Sequence, residues 1–145
     1  MAYLSPSIAY LLQAGAYHNL VVFVSTPLVL LTLAMLLALD FPAYSGDLKY
    51  ERTTLLARLG WQRAIPFHHL LLLGAYVCFA AAPIFGFSLH LLWPAFLTLP
   101  FALLQIFWLR NVSLGLKPLW NLLTANAIAI AGLTAYLLTL TFWLR

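Results

Sequence analysis

Carboxylates are the scarcest reactive groups in this chain: Asp40, Asp47 and Glu51 are its only three, and all fall in one short stretch. Asp40 and Asp47 are candidate hard-oxygen ligands for a magnesium ion. Lys49, Arg52 and Arg58 are interleaved with them and Arg63 follows. Such cations hold the oxygens of a diphosphate or a lipid headgroup. The same residues have a plainer reading, as helix-end carboxylates paired with Lys49 or Arg52 and as basic loop residues that orient the chain. A second set is the imidazoles of His18, His68, His69 and His90, which can ligate the magnesium of a chlorophyll or the iron of a haem. Interfacial histidines bonded to backbone or lipid are the alternative. Gln105, Asn121 and Asn126 can bond a quinone carbonyl or tie helices together. Cys78 is the single cysteine, which excludes an intrachain disulfide and a Cys metal cluster. The sequon Asn111-Val112-Ser113 is a chance match on an expected cytoplasmic loop. No phosphate-loop, zinc-protease or serine-triad pattern is present.

The elements that must position these groups are membrane spans. Of the 145 residues, 65% are apolar and 7% charged, with a mean hydropathy of +1.00. A soluble domain carries about 25% charged residues, so a soluble fold and a disordered chain are both excluded. The apolar runs predict an all-α fold of four transmembrane helices over residues 20–39, 65–82, 88–109 and 119–144, in a single domain. The only sizeable polar loop spans 42–63. Within it, residues 53–59 suit a short amphipathic helix stopped by Gly60. Pro83 and Gly86 mark an uncharged turn between the second and third spans. Residues 8–16 suit a short interfacial helix or the remnant of a further span. No basic segment precedes them, so a cleavable signal peptide is not expected.

The net charge is +4. The basic residues sit in the loops after the first and third spans, as Lys49, Arg52, Arg58, Arg63, Arg110 and Lys117, while Arg145 alone falls on the other side. This asymmetry reads as a topology signal rather than a nucleic-acid footprint. It predicts cytoplasmic charged loops and both termini on the outer side of a cell membrane. Trp61, Trp93, Trp108, Trp120 and Trp143 fall mostly near span ends, as interface anchors do. Ala125, Ala129, Gly132 and Ala135 recur three or four apart, which predicts a face that meets another helix.

The stretch 40–60, DFPAYSGDLKYERTTLLARLG, resembles the second aspartate-rich loop of the UbiA-type membrane prenyltransferases. Asp47 falls on the last aspartate of that loop. Thr54, Leu55, Arg58, Leu59 and Gly60 fall on its threonine-leucine-arginine-leucine-glycine tail. Asp40, Phe41, Pro42, Tyr44 and Gly46 match members that read E-F-P-D-Y-x-G-D. Four spans with this loop after the first are similar to the C-terminal half of the family fold. The resemblance implies a loop that holds Mg2+ on a diphosphate, in a protein that moves an isoprenyl group onto an aromatic acceptor.

The departures are specific. Ala43 stands at the family's penultimate aspartate, Glu51 at a glycine and Arg52 at a lysine, and the first aspartate loop of the family is missing. The expected function is therefore a truncated, noncatalytic accessory or structural subunit of a larger membrane complex, respiratory or photosynthetic. It would pack against other membrane chains and against lipids, prenyl-tailed quinones, carotenoids or chlorophylls. The alternative is the C-terminal half of a split Mg2+-dependent prenyltransferase.

Overall fold

The chain is described by a computed structural model over residues 19–144. The segment 8–16, His18 and Arg145 lie outside the described residues. Every element among the described residues is helical. Helix α1 spans Asn19–Asp40 and continues through a 3-10 turn, Phe41–Ala43, into α2, Tyr44–Lys49. Helix α3 is Leu55–Leu59, and α4 is Trp61–Ala80. A 3-10 turn, Ala82–Phe85, leads to α5, Leu89–Leu92, then to a longer 3-10 segment, Trp93–Thr98, and to α6, Leu99–Ser113. Helix α7 is Trp120–Trp143.

Four stretches are long and apolar enough to cross a membrane: Phe23–Lys49, Trp61–Ala80, Leu89–Ser113 and Trp120–Thr141. In hydrocarbon every backbone N–H and C=O needs a partner inside the chain, and a helix supplies one at each step. Side-chain hydroxyls follow the same rule. Thr32, Thr124, Thr139 and Thr141 each donate to the carbonyl four residues back on their own helix. The large apolar side chains of Leu70, Val77, Leu103, Phe107 and Leu133 point outward, which suits a lipid solvent and not water.

The boundaries differ from the hydropathy pattern in one instructive place. Helix α4 begins at Trp61 rather than at 65. Gln62 and Arg63 are exposed in its first turn, where polar side chains reach the interface while the backbone is already helical. The third span holds a second departure, because its helix is interrupted by the 3-10 segment Trp93–Thr98. Pro94 lies at the start of that segment and Pro100 just after it, and each lacks the N–H that a continuous helix would use.

Helix α1 packs mainly on α4 and α7, while α6 packs on α7 and α4. The approach of α1 to α4 is close at Gly74, where a Cβ would lie 3.8 Å from the Leu30 Cδ1 methyl. One apolar core joins Leu31, Leu72, Phe79, Leu92 and Ile130 across the bundle. A second joins Leu37, Phe41, Leu56, Ile65, Leu109 and Leu123. The second core lies under both charged loops, so both gather at one end of the bundle. The buried stripe of α7 is Leu123, Asn126, Ala127, Ile130, Thr134 and Leu138. The small-residue face falls elsewhere. Ala125 and Gly132 are exposed, and a Cβ on Gly132 would meet nothing within 4 Å. Ala129 and Ala135 are half-buried, and the larger residues of α7 fill the described interior instead.

Candidate functional site

The charged end is built by the chain reversal between α1 and α4. Pro42 opens the 3-10 turn after Asp40, and α2 runs on to Lys49. Glu51 then takes a positive φ of 52°. Thr54 caps α3 by accepting the Ala57 N–H at 3.2 Å, which satisfies one of the free donors of the first turn. Gly60 sits at φ 73°, ψ 156° between α3 and α4, a backbone conformation open in practice to glycine. The stop expected at Gly60 is thus present, and the amphipathic piece is the single turn Leu55–Leu59. It is anchored by Leu56, which is buried in the core beneath it.

Aromatic rings brace this end. The Trp61 indole packs edge-on against Phe41 at 4.9 Å and against Trp120 at 5.9 Å, with Tyr44 at 5.7 Å. An open cleft of about 370 Å³ lies beside them, lined by Tyr44, Leu59, Gly60, Trp61, Gln62 and Arg63. A smaller one of about 160 Å³ lies near the other charged loop, between Trp108, Asn111, Lys117 and Leu119.

The carboxylates stand apart in environment. Asp47 is buried, at 6% exposure, while Asp40 is partly exposed and feels the Asp47 charge. Glu51 is exposed. Lys49, Arg52, Arg58 and Arg63 are all exposed. Among the described residues, neither Asp40 nor Asp47 forms an ion pair with Lys49 or Arg52, so the pairing expected as the plainer reading is not made. The Asp47–Arg52 contact is through backbone, Arg52 N–H donating to the Asp47 carbonyl at 2.9 Å. The Lys49 ammonium lies instead 5.6 Å from the centre of the Tyr50 ring. Among the described residues, no three His, Cys, Asp or Glu side chains converge as a metal-binding group. Asp40 and Asp47 therefore offer a metal a pair of carboxylates and no third ligand of that kind.

The histidines separate as well. His90 is exposed on the short helix α5, toward the opposite end. His68 and His69 lie deeper along their helix than the first turn expected of them, and His69 is half-buried. Because α4 starts at Trp61, His68 lies about two turns inside the helix. Its side chain is only 1% exposed, and the His69 ring stands 6.0 Å away. A ring enclosed in this way presents no open face to the metal of a chlorophyll or haem.

The amides and hydroxyls form interhelical links. Asn126 Nδ2 on α7 donates to Gln105 Oε1 at 2.7 Å and to the Phe101 carbonyl at 2.9 Å, both on α6. The helix-tying reading of Gln105 and Asn126 is therefore the observed one, while Asn121 is exposed. A second link was not singled out from the sequence. Thr98 Oγ1 lies 2.9 Å from Tyr76 Oη and 2.7 Å from Thr134 Oγ1, joining α4, the 3-10 segment and α7. Its only trace in the sequence is three hydroxyl residues within apolar runs.

Comparison with protein-family models, with curated proteins and with solved structures finds no match for this chain. The functional reading therefore rests on its own residues.

Proposed function

We propose that this chain is a noncatalytic, membrane-embedded accessory subunit, built like the C-terminal half of a UbiA-type prenyltransferase and assembled with other membrane chains. The observation that supports this reading is the state of the 40–60 segment. Ala43, at the position that the resemblance gives to a metal-binding aspartate, is exposed at the charged end. Asp47, at the position of its partner, is withdrawn to 6% exposure. A loop that grips a metal diphosphate needs carboxylate oxygens on an open face; here that face carries a methyl group. Such a subunit would use its flanks against partner helices and prenyl-tailed lipids, quinones or pigments, with its charged end in the cytoplasm.

The split-enzyme reading keeps one observation in its favour. The Arg63-lined cleft, with Arg52 and Arg58 exposed on the same polar segment, offers cations suited to phosphate oxygens. One experiment separates the two. Protein isolated in mild detergent with whatever co-purifies is assayed for transfer of a labelled isoprenyl diphosphate in the presence of Mg2+. The accessory reading expects stable co-purifying membrane chains and a transfer rate that Asp47→Asn leaves unchanged. Transfer that Asp47→Asn abolishes would defeat it.

A further inference from the structure

Among the described residues, three buried side-chain polar atoms lack a partner: Nδ1 of His68, Nε2 of the half-buried His69 and Nε2 of Gln105. Of these, the His68 and Gln105 side chains are essentially sealed, at 1% and 0% exposure. The orientation of the Gln105 amide follows from its neighbour. Asn126 Nδ2 donates to the Phe101 carbonyl, so it is the amide nitrogen, and its second acceptor must be Gln105 Oε1. Gln105 Nε2 is thereby left as a donor without a partner.

Helix geometry puts His68 and Gln105 at about the same level of the bundle. Helices α4 and α6 run in opposite directions, and they are pinned at one level by Tyr76 and Thr98. From Tyr76 back to His68 is about 12 Å along α4, and from Thr98 on to Gln105 about 11 Å along α6. His68, Leu72, Ala75 and Phe79 line the buried stripe of α4, as Thr98, Ala102, Gln105 and Leu109 line that of the third span. Both stripes face the core, and α4 packs on α6. Toward the charged end, Ile65 and Leu109 belong to one core, in keeping with this register.

A donor amide and an imidazole nitrogen facing one layer ask for a group that accepts from one and donates to the other. Water does both, and buried waters characteristically answer such pairs. We propose that the layer of His68, Gln105 and Asn126 is an internal hydration site. One water accepts from Gln105 Nε2 and donates to His68 Nδ1, which holds the imidazole as its Nε2–H tautomer. The chain of bonds then runs from α4 through the water to Gln105, Asn126 and the Phe101 carbonyl, and ties three helices. It also makes a polar layer between apolar ones, with Leu72, Ala102 and Ile130 on one side.

The test uses the full chain, 15N-labelled, in lipid bilayers, with solid-state NMR polarisation transferred from water. His68 Nδ1 and Gln105 Nε2 are expected to build up signal several-fold faster than the backbone nitrogens of Leu72 and Ala102. The Nδ1 shift of His68 should be that of an unprotonated, hydrogen-bonded nitrogen. Build-up at His68 and Gln105 no faster than at Leu72 would overturn the proposal. In Gln105→Leu, water transfer to His68 Nδ1 should drop several-fold; an unchanged rate would show that no water is shared. If that variant does not fold, the wild-type comparison decides alone.

Discussion

At the residue scale, the groups that can do chemistry and the groups that hold the bundle together are different residues. The exposed cations reach outward from one end, whereas the hydroxyl and amide links lie inside. Thr98 illustrates the second kind, since its Oγ1 meets Tyr76 and Thr134 at once. Interhelical hydrogen bonds in bilayers average about 0.6 kcal/mol and reach about 1.7. Thr98→Val is therefore expected to cost about 1–3 kcal/mol of reversible unfolding free energy in bicelles. Thr139→Val is the matched control, because its hydroxyl bonds only its own helix at an exposed site. It should stay within about 0.5 kcal/mol of wild type. Equal losses for the two variants would show that the Thr98 cluster contributes nothing across helices. Residue roles of this kind were only half legible in the sequence. Gln105 and Asn126 stand out because an amide in an apolar run needs a partner. Asp47 does not, because nothing in D-L-K-Y-E-R tells which side of a short helix turns inward.

Among the elements, the long apolar runs were legible because each of the four reaches the length that a bilayer crossing needs, and Pro94 and Pro100 marked where the third span loses its regular winding. The start of α4 was not legible, since a charge in the first turn of a helix looks like loop in any hydropathy pattern. That shift of a single turn places His68 about two turns into α4, where its side chain is buried. The junction between α3 and α4 carries a sharper constraint. Gly60 holds φ 73° with ψ 156°, a region that costs about 1–3 kcal/mol for a residue with a side chain. Gly60→Ala should lower stability by about that amount, although open space surrounds the position. Gly132→Ala, in the middle of α7 with nothing within 4 Å, should be neutral or slightly stabilising, as helix propensity favours alanine by about 1 kcal/mol. Chemical denaturation of both variants in the same detergent checks the contrast. A large loss at Gly132 would mean that its face is covered by something other than lipid.

For the whole molecule, the two charged loops converge on one end through the shared core of Phe41, Leu56, Leu109 and Leu123. In a Cys78→Ser background, Ser45→Cys and Lys117→Cys should react with a membrane-impermeant maleimide from the same side, and Phe85→Cys from the opposite side. Labelling of all three from one side would break the four-span arrangement. The uncharged Ala82–Phe85 turn has a consequence for biogenesis. Residues 64–109 contain no Asp, Glu, Lys or Arg, so α4 and the span that follows can enter the bilayer together as a helical hairpin. Translocating that tip moves no Asp, Glu, Lys or Arg side chain through hydrocarbon, whereas sending the opposite ends across would move Arg63 and Arg110 at about 2.5–3.5 kcal/mol each. The charge asymmetry of the hairpin thus favours crossing by its uncharged tip.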